Sequence, residues 1–137
     1  MAEHNYSLAE TFRSLLNAKK YTSIRDVLVT MEPQDVAAIL EEMEEEKLPL
    51  LFRLLPKEEA AETFVEMDPE LQELLIKGFS DSELKEVLDE LYVDDAVDIV
   101  EEMPANVVKR ILMTADPTMR REINEILQYP ETPQGPS

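Results

Sequence analysis

Apolar residues recur every 12 positions between residues 31 and 127, and this period restricts the fold more than any other feature of the sequence. No insertion or deletion interrupts it. A fixed short period indicates a supersecondary unit that is stacked on copies of itself. Such units bury a continuous core and leave long surfaces open for binding. The units open on Met31, Met43, Leu55, Met67, Phe79, Leu91, Met103, Ala115 and Leu127, and their second apolar column is Ile39, Leu51, Thr63, Leu75, Val87, Ile99, Ile111 and Ile123, in which Thr63 is the exception.

Each unit is predicted to be one short helix and one turn. The apolar residues of a unit stand at offsets 0, 5, 8, 9 and 12, and the last four lie on one face of an α-helix. Prolines mark the unit boundaries, because proline is tolerated in the first helical turn and disfavoured in the interior. Ser80 and Glu83 have the spacing of a capping box. We therefore expect helices of about nine residues, turns of about three, and no β-sheet.

The continuous repeat predicts a single domain. Residues 1–127 are assigned to an all-α helical-repeat domain, and residues 128–137, which contain three prolines and a glycine, to a linker or tail. Ahead of the repeat, we expect Ser7 to cap a first helix and a second short helix to run through Ile24. We expect Pro49 to lie near the start of its helix, because its ring does not fit further inside.

The charge of the chain excludes several kinds of partner. Its 31 acidic and 13 basic residues give a net charge of −18, and residues 81–102 hold ten of the acidic residues and a single lysine. Such a surface repels nucleic acid and anionic lipid, and it suits cations or a basic partner. A small basic end is the exception and is a candidate for contacts with acidic neighbours; it consists of Lys109, Arg110, Arg120 and Arg121.

Neither catalysis nor insertion into a membrane is expected of this chain. An enzyme needs a nucleophile, a base or a cofactor cradle in a pocket. The sequence has no cysteine and no glycine-rich phosphate loop, and its one histidine is His4. Its apolar runs are far shorter than the roughly 20 residues that span a bilayer. We recognise no secretory signal, and the lack of cysteine is compatible with a reducing cytoplasm.

Three aspartates at the start of one predicted helix form the strongest candidate site. Asp94 and Asp98 are four residues apart, and Asp95 and Asp98 are three apart, so all three can crowd one surface. Either the helix dipole offsets their repulsion and they are solvated carboxylates, or a divalent cation such as Mg²⁺, which prefers oxygen ligands, lies between them. Glu62 lies three periods before Asp98 and Glu86 one period before it. The repeat therefore predicts one line of carboxylates.

Four segments of the sequence resemble one known family. They are the run over residues 21–40, Leu54-Leu-Pro-Lys-Glu-Glu-Ala-Ala-Glu, Leu91-Tyr-Val-Asp-Asp-Ala-Val-Asp, and Leu127-Gln-Tyr-Pro-Glu. Together with the 12-residue period, they are similar to the cytoplasmic N-terminal domain of the MgtE magnesium transporter and channel family. The resemblance implies a right-handed superhelical solenoid of short helices. In full-length members, it is followed by a CBS domain and a transmembrane pore.

The resemblance also implies a function and a metal site. The function is that of a regulatory, Mg²⁺-sensing domain on the cytoplasmic face of the cell membrane, within a homodimeric full-length protein. The residues that match the family's metal ligands would hold Mg²⁺ against the CBS domain of the same chain; they are Glu62, Asp94, Asp95 and Asp98. The motor switch proteins of the bacterial flagellum resemble the same helical fold. The alternative function is therefore an interaction adaptor whose acidic face binds a basic protein.

Overall fold

The structure is a computed structural model that describes residues 2–128, with side chains described from residue 8 onward. Within this range the chain is all-helical, as predicted, and contains no strand. None of the helices between residues 2 and 128 has both the length and the apolar character needed to cross a bilayer. The helices are α1 (Ala2–Asn17), α2 (Tyr21–Leu28), α3 (Pro33–Glu41), α4 (Leu48–Arg53), α5 (Lys57–Glu66), α6 (Pro69–Gly78), α7 (Asp81–Glu90), α8 (Val93–Glu101), α9 (Ala105–Thr114) and α10 (Pro117–Leu127).

The helix boundaries follow the signals in the sequence. The Ser80 hydroxyl accepts a hydrogen bond from the Glu83 amide at 3.1 Å, and the Glu83 carboxylate accepts one from the Ser80 amide at 2.9 Å. This pair confirms the predicted capping box. Pro56 and Pro104 hold the position directly before α5 and α9, where their rings clash with no preceding helical turn.

Two local features differ from the predictions. Ser7 lies inside α1, so the prediction that it begins this helix is wrong. No proline or glycine among residues 2–6 stops the helix from extending past it. The helix with Pro49 begins at Leu48 as expected, but it has only six residues because a 3₁₀ turn, Glu45–Lys47, takes up the start of its unit.

The apolar columns of the repeat form the core. All eight members of the second column are buried, including Thr63, which is 1% exposed. The first column is buried from Met43 to Ala115 and half-buried at its two ends. Phe52 and Phe64 meet edge to face in this core, with their ring centroids 6.1 Å apart. The period of 12 residues therefore correctly identifies which positions face inward.

The chain consists of two compact units, residues 1–78 and residues 79–137. In the first unit, α1 packs against α2 and α3, α3 against α5, and α4 against α6. In the second unit, α7 packs against α9 and α8 against α10. The assignment of residues 1–127 to one domain stays a prediction, as does the right-handed superhelix. The predicted tail lies outside the described residues apart from Gln128.

The structural repeat within each unit is twice the sequence period. Among helices α3 to α10, the closest packing joins helices that are two apart along the chain, such as α7 with α9 and α8 with α10. The starts of α7 and α9, Asp81 and Ala105, are 24 residues apart, and so are the starts of α8 and α10, Val93 and Pro117. We call each such pair of helices a stack. Consecutive units of the sequence therefore contribute to different stacks.

Candidate metal-binding site

The three aspartates of the candidate site lie at the start of α8. Asp94 and Asp95 are in its first turn, and Asp98 follows one turn later. The opposite face of the helix is apolar and buried, which turns Asp94 and Asp98 outward; it consists of Ala96, Val97, Ile99 and Val100. Asp94 and Asp98 are exposed and Asp95 is half-buried. The amphipathic pattern of the unit is thus the cause of the aspartates' position on the surface.

The carboxylates of α8 have no partner among the described residues, whereas three of the five carboxylates of the neighbouring helix α7, those of Asp81, Glu83 and Asp89, have one. On α7, Asp81 pairs with Arg110 at 3.0 Å and Asp89 pairs with Lys85 at 3.2 Å. On α8, neither Asp94 nor Asp98 receives a hydrogen bond from a side chain of the described part. Their charge is offset only by the amide groups of the helix N-terminus and by solvent.

The described residues alone do not form a complete metal centre. Between residues 8 and 128, no three histidine or acidic side chains come close enough to hold one ion together. Mg²⁺ binds through one or two carboxylates and keeps several waters, so two exposed aspartates one helical turn apart can supply part of a site. The donor set of α8 therefore fits Mg²⁺ if further ligands come from elsewhere.

Glu62 lies on α5, in the first compact unit, whereas the aspartates lie in the second. The buried face of α5 contains Ala60, Ala61, Thr63 and Phe64, and Glu62 itself is exposed. Its exposure agrees with a role in binding. The grouping of Glu62 with the three aspartates stays a prediction.

The single line of carboxylates that the repeat predicts is wrong for Glu86 and Asp98. These residues are one period apart, so they lie on α7 and α8, which belong to different stacks. Within a stack, equivalent positions are 24 residues apart. The position equivalent to Asp98 is therefore Glu122 on α10, and the position equivalent to Glu86 is Arg110 on α9. A pattern of 12 residues does not distinguish the two stacks, because it is the same in both.

Two carboxylates of the first unit interact closely at a place that the sequence did not indicate. The pKa of Glu41, an exposed residue at the end of α3, is raised by partial desolvation and by the nearby carboxylate of Asp68, which precedes α6. A hydrogen bond from the Asp68 amide acts in the opposite direction, as it stabilises the charged form of Glu41. These residues are 27 positions apart and share no motif, so only packing brings them together.

Comparisons with known proteins agree with the resemblance. The chain is 32% identical to the magnesium transporter MgtE of Thermus thermophilus, over 132 residues that make up 93% of this chain and 29% of the transporter. It also matches the crystal structure of the cytosolic domain of the Mg²⁺ channel MgtE in complex with ATP, with a TM-score of 0.75 and 31% identity, over 90% of this chain and 51% of that one. The chain thus spans about half or less of the length of these relatives. The family described as the MgtE intracellular N domain matches residues 31–132, and the chain belongs to this family.

Proposed function

We propose that this chain is the cytosolic, Mg²⁺-sensing regulatory domain of an MgtE-type magnesium transporter. Membership of the MgtE intracellular N domain family supports this role, as does similarity to a magnesium transporter and to the cytosolic part of a Mg²⁺ channel. The rest of the transporter is proposed to contain a CBS domain and a transmembrane pore, and to form a homodimer. Regulation would then depend on contact between this domain and the CBS domain.

The observation that carries the proposal is the start of α8, where the exposed carboxylates of Asp94 and Asp98 have no partner in the described part of the chain. Like charges one helical turn apart that no basic side chain neutralises repel each other, so their presence favours a role in binding. Asp94, Asp95, Asp98 and Glu62 would hold Mg²⁺, and the CBS domain would supply the remaining ligands. The bound ion would neutralise the carboxylates on both sides of the contact.

The regulation follows from the charge of the chain. With a net charge of −18, this domain repels any acidic surface that faces it. The aspartates of α8 would therefore hold the domain apart from the CBS domain whenever their charge is not neutralised. A cation that is bound only in the associated arrangement shifts the population toward that arrangement. We assign the associated arrangement to the closed pore.

The test uses the full-length transporter with the substitutions Asp94→Asn, Asp95→Asn and Asp98→Asn. We expect closure of the pore, measured as ion flux during a Mg²⁺ titration, to require at least about tenfold more Mg²⁺ than in the wild type. The matched control removes three other exposed carboxylates of the second unit that have no partner in the described part, by Glu90→Gln, Glu101→Gln and Glu102→Gln. We expect it to change the required concentration by less than about twofold.

An unchanged Mg²⁺ response of the triple asparagine variant would overturn the assignment of the site. An equal shift in both variants would show that only the total charge matters. Tight binding of a basic protein to this domain without Mg²⁺, lost in the triple asparagine variant, would instead support the adaptor function.

A further inference from the structure

Helix α9 differs in charge from the other helices of its unit. It contains Lys109 and Arg110 and no acidic residue, whereas α7, α8 and α10 each contain at least two acidic residues. In a chain with a net charge of −18, a helix without acidic residues interrupts an otherwise repulsive surface. Among helices α7 to α10, α9 is the one that carries basic and no acidic residues, so an anionic group meets less repulsion there than on α7 or α8.

Two arginines of this region are fixed by hydrogen bonds to backbone carbonyls. Arg110 donates from Nη2 to the carbonyl of Phe79 at 2.8 Å and to the carboxylate of Asp81 at 3.0 Å. Arg120, on α10, donates from Nη1 to the carbonyl of Leu112 at 3.3 Å. Guanidinium groups held in this way lose little further side-chain entropy on binding, although the charge of Arg110 is partly compensated by Asp81.

An open pocket lies beside these arginines, and it combines a cation with an apolar side chain. Its volume is about 310 Å³, and it is lined by Asp81, Asn106, Lys109, Arg110, Met113 and Thr114. Lys109 and Met113 are one helical turn apart on α9 and both are exposed, Met113 to 70%. Lys109 has no hydrogen-bond or ion-pair partner in the described part of the chain. The pocket therefore presents an available ammonium group next to an available thioether.

We propose that this α9 surface, defined by Asn106, Lys109, Arg110, Met113 and Thr114, docks an acidic protein segment that carries an apolar side chain. The Asp81 carboxylate that also lines the pocket is paired with Arg110, so Lys109 is the cation that meets the segment. A glutamate or aspartate of the segment pairs with Lys109, and its apolar side chain covers Met113, since methionine adapts its shape to a partner. Two other occupants fit this surface less well. Nucleic acid offers no apolar side chain to cover Met113, and a second copy of this chain carries the same net charge of −18.

The test measures binding of a labelled peptide to the 137-residue chain by fluorescence anisotropy at physiological salt without Mg²⁺. The probe is a synthetic helical peptide rich in glutamate with leucine at every third or fourth position, and the control peptide has glutamine in place of glutamate. The amide NMR shifts of the chain identify the surface that is contacted. We expect the largest shifts within Ala105–Thr114.

Matched substitutions separate docking on α9 from general electrostatics. Lys109→Glu should weaken binding of the glutamate peptide by about tenfold, whereas Lys57→Glu, the same change at an exposed lysine of α5, should weaken it by less than about twofold. Met113→Ser should weaken binding by about fivefold, and Ile126→Ser, at another exposed apolar residue, by less than about twofold. All four residues are exposed, so the variants are expected to fold.

Four results would overturn the proposal. They are an absence of binding by the glutamate peptide, equal binding of the glutamine peptide, equal effects of the two lysine substitutions, and tighter binding of a single-stranded DNA oligonucleotide than of the glutamate peptide. Because the measurement contains no Mg²⁺ and leaves Asp94, Asp95 and Asp98 unchanged, its failure would not affect the proposed metal site.

Discussion

Helices α7 and α8 have adjacent places in the repeat and nearly equal lengths, 10 and 9 residues, but their N-termini differ. On α7 the first turn is satisfied by the chain itself, through the Ser80–Glu83 capping box and the Asp81–Arg110 pair. On α8 the capping position is held by Tyr92, which forms no cap hydrogen bond and is 81% exposed. The repeat thus specifies where a helix starts, but not whether its acidic residues stabilise that start.

The start of α8 has a cost in stability that its buried face offsets. A missing cap costs about 1 kcal/mol, and each pair of like charges one turn apart costs about a few tenths of a kcal/mol. The buried side chains of Ile99 and Val100 contribute about 1.5 to 3 kcal/mol each. A helix with this margin tolerates carboxylates that do not stabilise the fold. Such local departures from an otherwise consistent pattern are where binding residues are expected.

The largest expected effect is the loss of stability when a buried side chain is truncated, and it tests whether α7 and α8 are packed equally well. Leu84→Ala on α7 and Ile99→Ala on α8 should each lower the free energy of unfolding by about 3 kcal/mol, because both side chains are buried and each substitution leaves a cavity. Urea denaturation measures this loss. The exposed controls Glu86→Ala and Glu101→Ala should stay within about 0.5 kcal/mol. A neutral Ile99→Ala would mean that α8 is not packed as described.

An intermediate effect tests the capping difference directly. Ser80→Ala should lower the free energy of unfolding by about 1 kcal/mol, because it removes the hydroxyl that accepts the Glu83 amide. Tyr92→Ala, at the corresponding position of α8, should change it by less than about 0.5 kcal/mol, because Tyr92 accepts no cap bond. Thermal unfolding of the two variants gives the comparison. Equal losses would show that Tyr92 stabilises α8 in some other way. The N-termini of α7 and α8 would then not differ in stability as described.

Much of the fold was predictable from the sequence because the 12-residue pattern encodes burial. It identified the buried column, in which the burial of the exception, Thr63, was not expected, and the spacing of Ser80 and Glu83 identified the capping box. It did not reveal the pairing of alternate helices, since both stacks have the same period. The 3₁₀ turn before Leu48 was also missed, because it depends on how the Glu45–Lys47 segment is accommodated between helices.

The candidate site was predictable only in part, for a related reason. The spacing of Asp94 and Asp98 placed both carboxylates on one face of one helix, and a helix is a local structure. The alignment of Glu86 with Asp98 depended on how units pack, which a period along the chain does not contain. The close approach of Glu41 and Asp68 was missed for the same reason, since it joins two helices across a long separation in the sequence.

The smallest expected effect is the change in stability when one aspartate is neutralised, and it should have opposite signs on α7 and α8. Asp81→Asn on α7 should lower the free energy of unfolding by about 0.5 kcal/mol, because it removes an ion pair with Arg110 and a charge at the positive end of the helix dipole. Asp98→Asn on α8 should raise it by about a few tenths of a kcal/mol, because Asp98 lies beyond the first turn and is repelled by Asp94 and Asp95. The measurement is urea denaturation at low ionic strength without divalent cations. Both changes should shrink at about 1 M salt, where exposed charges are screened. A loss of stability from Asp98→Asn as large as that from Asp81→Asn would mean that Asp98 is held by the fold, and it would remove the distinction on which the proposed metal site depends.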